Sequence, residues 1–160
     1  GLLGDYDLLH WAGYLLNLWL DAFPGSIENN DAYRLLRLSL DSLDAGLNPD
    51  SVVSWCELQV MRLLGSAPQL RRCVRCGEES NLQWFSVEAG GALCTQCRGV
   101  GVRALPASVR DWLAFLQRAN LMKLAAARPG AETLAAGRQL LVLWMVHFFP
   151  RLSRFFGGVS

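Results

Sequence analysis

The sequence has 160 residues, 52% of them apolar and 18% charged, with a formal net charge of +1; this suits one buried core with at most a small satellite and excludes a disordered chain. Mean hydropathy is +0.21, yet the longest charge-free stretches, Leu8–Leu20 and Gln139–Pro150, hold 13 and 12 residues, short of the roughly 18 that suggest a membrane span. Nor does a basic segment precede a short apolar run ending in small residues, so no signal peptide is visible. The small net charge hides an asymmetry. Through Glu57 nine acids face Arg34 and Arg37, whereas from Leu58 onward thirteen basic residues face five acids. A basic second half predicts an anionic partner, and fourteen arginines to one lysine suit bidentate contact with phosphate or reflect codon bias. The surplus apolarity predicts a surface that something else covers. A start at Gly1 rather than Met fits a processed or partial chain.

In chain order, a first helix is expected from about Asp5 to Phe23. Leu8, Trp11, Ala12, Leu15, Leu16 and Trp19 fall at helical spacing, and Pro24-Gly25 stops it. A loop through Glu28-Asn29 leads to Asn30 as N-cap of a second helix carrying Tyr33, Leu36, Leu40 and Leu43, with Gly46 just past its end. Asn48-Pro49 repeats the device for a third helix ending near Leu64, before Gly65 and Pro68. Between Leu70 and Gly101 the helical period vanishes. Leu82–Val87 and Ala92-Leu93 read as short strands around a Gly90-Gly91 turn. Helical patterning resumes near Pro106 with Val109, Trp112, Leu113 and Leu116, runs on to Ala127, and breaks at Arg128-Pro129-Gly130. The last helix, about Glu132 to Phe149, is apolar around most of its circumference and is expected to be central. The fold class is therefore mainly α: a helical bundle with an inserted four-cysteine zinc ribbon of short β-hairpins. Residues 1–69 open the bundle, 70–103 form the ribbon and 104–160 complete the bundle.

The ribbon carries the strongest chemical signal. Cys73-Val-Arg-Cys76 and Cys94-Thr-Gln-Cys97 form C-x2-C-x17-C-x2-C, within the spacing of zinc sites. Each Cys-x-x-Cys turn aims two thiolates at one point, and a hairpin-length linker brings the two turns together around one Zn2+. Gly77 supplies the tight turn after the first pair. Four cysteine ligands leave no open coordination position, so the ion is structural. Two disulfides are the first alternative and need an oxidising compartment; a redox dithiol is the second and normally sits in a βαβ setting, absent here. Cys56 reads as a core residue.

Other chemistry is thin. His10 and His147 lie in apolar helices, and Asp41 and Asp44 on a solvated helix face. No phosphate-binding, dinucleotide, nucleophile-elbow or metalloprotease motif occurs, so the chain is expected not to be an enzyme. Arg71, Arg72 and Arg75 flank the first cysteine pair, Arg98 the second, and Arg103 follows. These five are the candidate nucleic-acid contacts, with Trp84 or Phe85 available for base stacking. Otherwise the two aromatics pack the ribbon onto the helices and the arginines are solubilising. Arg151 and Arg154, beside Phe155-Phe156, extend a basic face or offset the last helix dipole.

The run Trp55-Cys-Glu-Leu-Gln-Val-Met-Arg-Leu-Leu-Gly-Ser-Ala-Pro68, followed by Leu70, Cys73-Val-Arg-Cys-Gly77, Phe85-Ser86, Gly90-Gly-Ala-Leu-Cys94 and Cys97, resembles the RecO family of bacterial recombination mediators. Ala12-Gly-Tyr14, the helical Asn30–Leu43 segment and Leu152-Ser-Arg-Phe155 fit the same pattern. The resemblance implies an OB-fold ahead of a helical, zinc-bearing region. Nothing here reads as an OB-fold, so the chain is expected to be the C-terminal part. It also implies cytoplasmic, nucleoid-associated work in DNA repair and recombination. The implied activities are binding of single- and double-stranded DNA, strand annealing, association with RecR, and contact with the acidic tail of single-stranded DNA-binding protein so that RecA is loaded. The four cysteines transfer as metal ligands; the DNA contacts match no fixed motif. The alternative is a zinc-containing protein-interaction scaffold that never touches DNA.

Overall fold

The computed structural model describes residues 4–25 and 29–157; Gly1 and Glu28, named above, lie outside them. Three helices open the chain, α1 (Asp5–Ala22), α2 (Asn30–Asp44) and α3 (Pro49–Leu63). The middle holds β1 (Leu82–Ser86), β2 (Gly91–Cys94), a 3-10 turn at Thr95–Cys97 and β3 (Arg103–Ala104). Helices α4 (Ala107–Arg118), α5 (Leu121–Ala126) and α6 (Ala131–Phe148) follow, then a 3-10 segment, Pro150–Phe155. The fold is mainly α with a small inserted ribbon. Among the described residues no helix is long and apolar enough to cross a membrane.

The stop signals act through backbone chemistry. Gly46 takes φ +88°, which lets Leu47 N–H donate to Ser42 O and Gly46 N–H to Leu43 O, each at 3.1 Å, satisfying carbonyls at the end of α2. Asn48 Oδ1 accepts from Ser51 N–H at 3.0 Å ahead of Pro49. The cap of α2 is Asn29 rather than Asn30, its Oδ1 accepting from Ala32 N–H at 3.0 Å. The helix expected from Pro106 to Ala127 is broken at Ala119, which is extended (ψ 137°), because Asn120 caps α5 through Lys123 N–H at 2.9 Å.

The central helix is α3, not α6. It packs against every other helix, and every residue from Ser51 to Met61 is buried. Hydropathy does not show this because α3 buries polar groups whose partners lie far along the chain. Trp55 Nε1 donates to Ala119 O at 2.8 Å, and Gln59 Nε2 to Leu116 O at 3.0 Å, tying α3 to the end of α4. Glu57, fully buried, accepts from Tyr14 Oη at 2.5 Å and from Arg138 Nη1 at 2.5 Å, joining α1, α3 and α6. Arg138 also donates to Ser54 Oγ at 3.2 Å. Burial and the Glu57 carboxylate together raise the Tyr14 phenol well above its usual 10.0. Cys56 is the expected core residue, its thiol pushed up to about 12 by burial. Helix α6, by contrast, buries one face through Leu140, Leu141, Trp144 and Met145, while Val142 and Leu143 line a surface groove.

The ribbon sheet has the order β2-β1-β3, antiparallel, with Phe85 opposite Ala92 and Trp84 opposite both Leu93 and Ala104. An irregularity between Leu82 and Trp84 breaks the alternation of the strand, so Leu82 and Phe85, three apart, are both buried. Gly91 is required sterically: its φ is +147° and an added Cβ would lie 2.1 Å from Gln69 O. Phe85 is 1% exposed, its ring 5.7 Å from that of Trp144. The ribbon thus shares the helices' core through Leu70, Leu82, Leu93 and Leu105.

Candidate metal centre and its basic surroundings

The two cysteine pairs are built by different local devices. In the first, Gly77 adopts φ +80° and its N–H donates to Cys73 O at 2.9 Å, while Cys73 N–H donates to Glu78 O at 2.7 Å. Val74 N–H donates to Ala92 O at 3.0 Å, fastening this turn to β2. The second pair begins on the last residue of β2 and ends the 3-10 turn, whose Thr95 N–H donates to Asn81 O at 3.2 Å. Arg75 crosses between the turns, Nη1 donating to Cys97 O at 2.8 Å.

Together these contacts place one sulfur from each of Cys73, Cys76, Cys94 and Cys97 within 4.8 Å of one another, and Cys76 Sγ lies 3.7 Å from Cys94 Sγ. A tetrahedron of zinc–sulfur bonds near 2.3 Å has edges of about 3.8 Å, so the cluster fits zinc. The five cysteines are unpaired in this structure, and Cys76 Sγ and Cys94 Sγ, 3.7 Å apart, are well beyond the roughly 2.05 Å of a disulfide bond. Burial opposes ionisation of Cys73, but backbone N–H donors around it win and lower its thiol to about 6. The neighbouring thiols Cys94 and Cys76 instead raise Cys97 to about 12. Four sulfurs this close ionise together only with a cation among them. Cys73 and Cys94 are buried, Cys97 half-buried and Cys76 exposed, so the centre sits at the ribbon surface with four protein donors.

All five arginines singled out from the sequence are exposed, and they occupy different places. Arg75 braces the cysteine turns. Arg98 lays its guanidinium over Trp84, 3.9 Å from the ring centroid. Arg72 is 3.9 Å from Glu79, both side chains exposed. Arg71 and Arg72 line a hollow against α4 with Arg110 and Asp111. Arg103 lines a separate groove of about 870 Å3 with His10, Trp11, Leu143 and Phe156. Stacking of a base on Phe85 is excluded by its burial, and Trp84 is half-buried with one ring face taken by Arg98. Arg154, exposed, donates to Asn17 Oδ1 on α1, while Phe155 and Phe156 meet Tyr14 edge-on.

The sequence reading missed Arg110, Arg118 and Lys123, which with Arg71 border the hollows along α4. The signal was available, since Arg110 and Arg118 are eight residues apart and share a helix face with Ala114.

A helical domain whose core seats a four-cysteine ribbon defines the class of protein. A family model described as Recombination protein O C terminal matches residues 3–147. A DNA repair protein RecO from Exiguobacterium sp. strain AT1b is 30% identical over 141 residues, covering 88% of this chain and 57% of that protein. The corresponding protein of Exiguobacterium sibiricum is 31% identical over 146 residues, covering 90% and 59%. That of Roseiflexus sp. strain RS-1 is 35% identical over 133 residues, covering 79% and 46%. The chain belongs to the recombination protein O family, in its C-terminal region. It spans about half the length of the curated relatives it matches.

Proposed function

We propose that this chain is a non-catalytic DNA- and partner-binding module of a recombination mediator acting in DNA repair. One structural Zn2+ held by Cys73, Cys76, Cys94 and Cys97 would fix the ribbon, and Arg71, Arg72, Arg75, Arg98 and Arg103 would contact phosphates of single- or double-stranded DNA. The observation that carries the reading is the family match over residues 3–147, supported by five exposed arginines on the ribbon. Within the family resemblance the work is strand annealing and loading of RecA, with RecR and the acidic tail of single-stranded DNA-binding protein as partners. The test is fluorescence anisotropy with labelled single-stranded DNA across a salt series. Phosphate contacts make log K fall linearly with log salt, by roughly 0.7 per contact on a single strand.

A second reading has its own observation. The groove along α6, about 870 Å3 and lined mainly by apolar side chains such as Trp11, Leu143 and Phe156, suits a protein partner. A scaffold that docks proteins and never meets DNA would show no salt-dependent binding in the same assay.

A further inference from the structure

Three hollows lie in series where the ribbon meets the outer face of α4. The first, about 460 Å3, is lined by Trp84, Asn81, Gln83 and Arg110. The second, about 390 Å3, shares Leu82 and Arg110 with it and adds Arg71, Arg72 and Glu79. The third, about 370 Å3, shares Arg71, Asp111 and Ala114 with the second and adds Phe115, Arg118 and Lys123. Shared lining residues set the three hollows next to one another as a segmented furrow along α4. Helix α4 spans 12 residues, about 18 Å at 1.5 Å per residue.

The charge along the furrow is one-sided. Among the described residues lining it, Arg71, Arg72, Arg110, Arg118 and Lys123 face two acids, Glu79 and Asp111. The ion pairs those two acids make, Arg72–Glu79 at 3.9 Å and Arg110–Asp111 at 3.6 Å, are long and the acids are solvated, so they hold the cations weakly. Arg71, Arg118 and Lys123 are exposed. On the cysteine side, Arg75 is engaged by Cys97 O and Arg98 by the Trp84 ring, while Arg103 opens onto the other groove.

We propose that this furrow is the main track for a single-stranded DNA backbone, with Arg71, Arg110, Arg118 and Lys123 as its phosphate contacts. The inference rests on the DNA-binding reading above and says where that binding is concentrated. A row of cations with aromatic rings along it is the general design of single-strand grooves. Here Trp84, with Arg98 over one ring face, stands at one end and Phe115, stacked on Trp112, near the other.

The experiment uses the whole chain and a fluorescein-labelled thymidine oligonucleotide, titrated at several salt concentrations. Zinc content and far-ultraviolet circular dichroism are checked on every variant. The triple variant Arg110→Gln/Arg118→Gln/Lys123→Gln is expected to lower the log–log slope by about 2, three contacts at roughly 0.7 each. Arg98→Gln/Arg103→Gln should lower it by less than about 1. The control Arg34→Gln/Arg37→Gln, on exposed positions of α2, should leave it unchanged. Arg110→Lys/Arg118→Lys, which keeps the charges at the same positions, should retain most of the binding and of the slope, and circular dichroism reports whether the triple variant is folded.

Wild-type binding with an unchanged slope in the triple variant overturns the furrow and leaves the DNA reading standing. So does a larger loss from the Arg98/Arg103 pair. Equal binding of a duplex with the same slope overturns the single-strand assignment. No binding by folded wild type, even at low salt, overturns the DNA reading itself, and the furrow with it.

Discussion

The ribbon and the helical core are held by opposite means. In the core, α3 presents polar side chains inward and three of them reach partners far along the chain: Trp55 and Gln59 on carbonyls of Ala119 and Leu116, Glu57 on Tyr14 and Arg138. The ribbon has three short strands and places four sulfurs within 4.8 Å of one another. The core's specificity lies in long-range hydrogen bonds that need no ligand. The ribbon's lies in local turns that bring four sulfurs to one point. Structural zinc contributes about 10–16 kcal/mol of apparent binding free energy in small finger peptides; with Phe85 packed on Trp144, this ribbon is expected to depend on such an ion less than a free finger does.

The largest expected effect breaks the core. Arg138→Met strands the Glu57 carboxylate, which is 0% exposed, and should destabilise the fold by about 3–5 kcal/mol in urea unfolding. The double variant Glu57→Leu/Arg138→Met should recover much of that loss. A single variant costing under about 1 kcal/mol would show that the pair is not the tie described.

Next comes the seam between the regions. Gly91→Ala drives a Cβ into the Gln69 backbone at 2.1 Å, whereas at Gly90 an added Cβ meets nothing within 4 Å. Gly91→Ala should cost more than about 2 kcal/mol, and Gly90→Ala only the left-handed penalty of about 1–2 kcal/mol. Equal midpoints for the two would contradict the close approach of Gln69 to β2.

Alkaline pH sharpens the comparison further. Because Tyr14 is raised above its unfolded value, its contribution is fully present below about pH 10 and is lost as pH rises beyond it. Tyr14→Phe should flatten that alkaline decline, read as the unfolding midpoint between pH 9 and 11, about one unit either side of the usual tyrosine pKa near 10. An identical decline in the variant would place its cause elsewhere. The smallest effect belongs to a cap: Asn48→Ala removes the acceptor for Ser51 N–H at 3.0 Å and should cost about 1 kcal/mol by thermal unfolding.

What could be read in advance follows the same division. The cysteine centre was legible because its geometry is local: C-x2-C spacing, Gly77 at φ +80° and a hairpin linker suffice. The end of α2 at Gly46 and the start of α3 at Asn48-Pro49 were legible for the same reason, whereas the break at Ala119 was not. The centrality of α3 was not, since Glu57 is a surface residue by composition and becomes buried through Tyr14, 43 residues earlier, and Arg138, 81 later. The apolar surround of α6 pointed to the wrong helix because Val142 and Leu143 line an open groove. Strand β3 has two residues, and its pairing with β1 depends on register that no local signal carries.

The central claim is that zinc holds the ribbon while the helices hold themselves. It is tested most directly by measuring metal content and far-ultraviolet circular dichroism on the wild-type chain and on Cys94→Ser. We predict one zinc per chain in the wild type, none in the variant, and most of the helical signal kept. A metal-free wild type, or a variant that loses its helical signal entirely, would contradict the account.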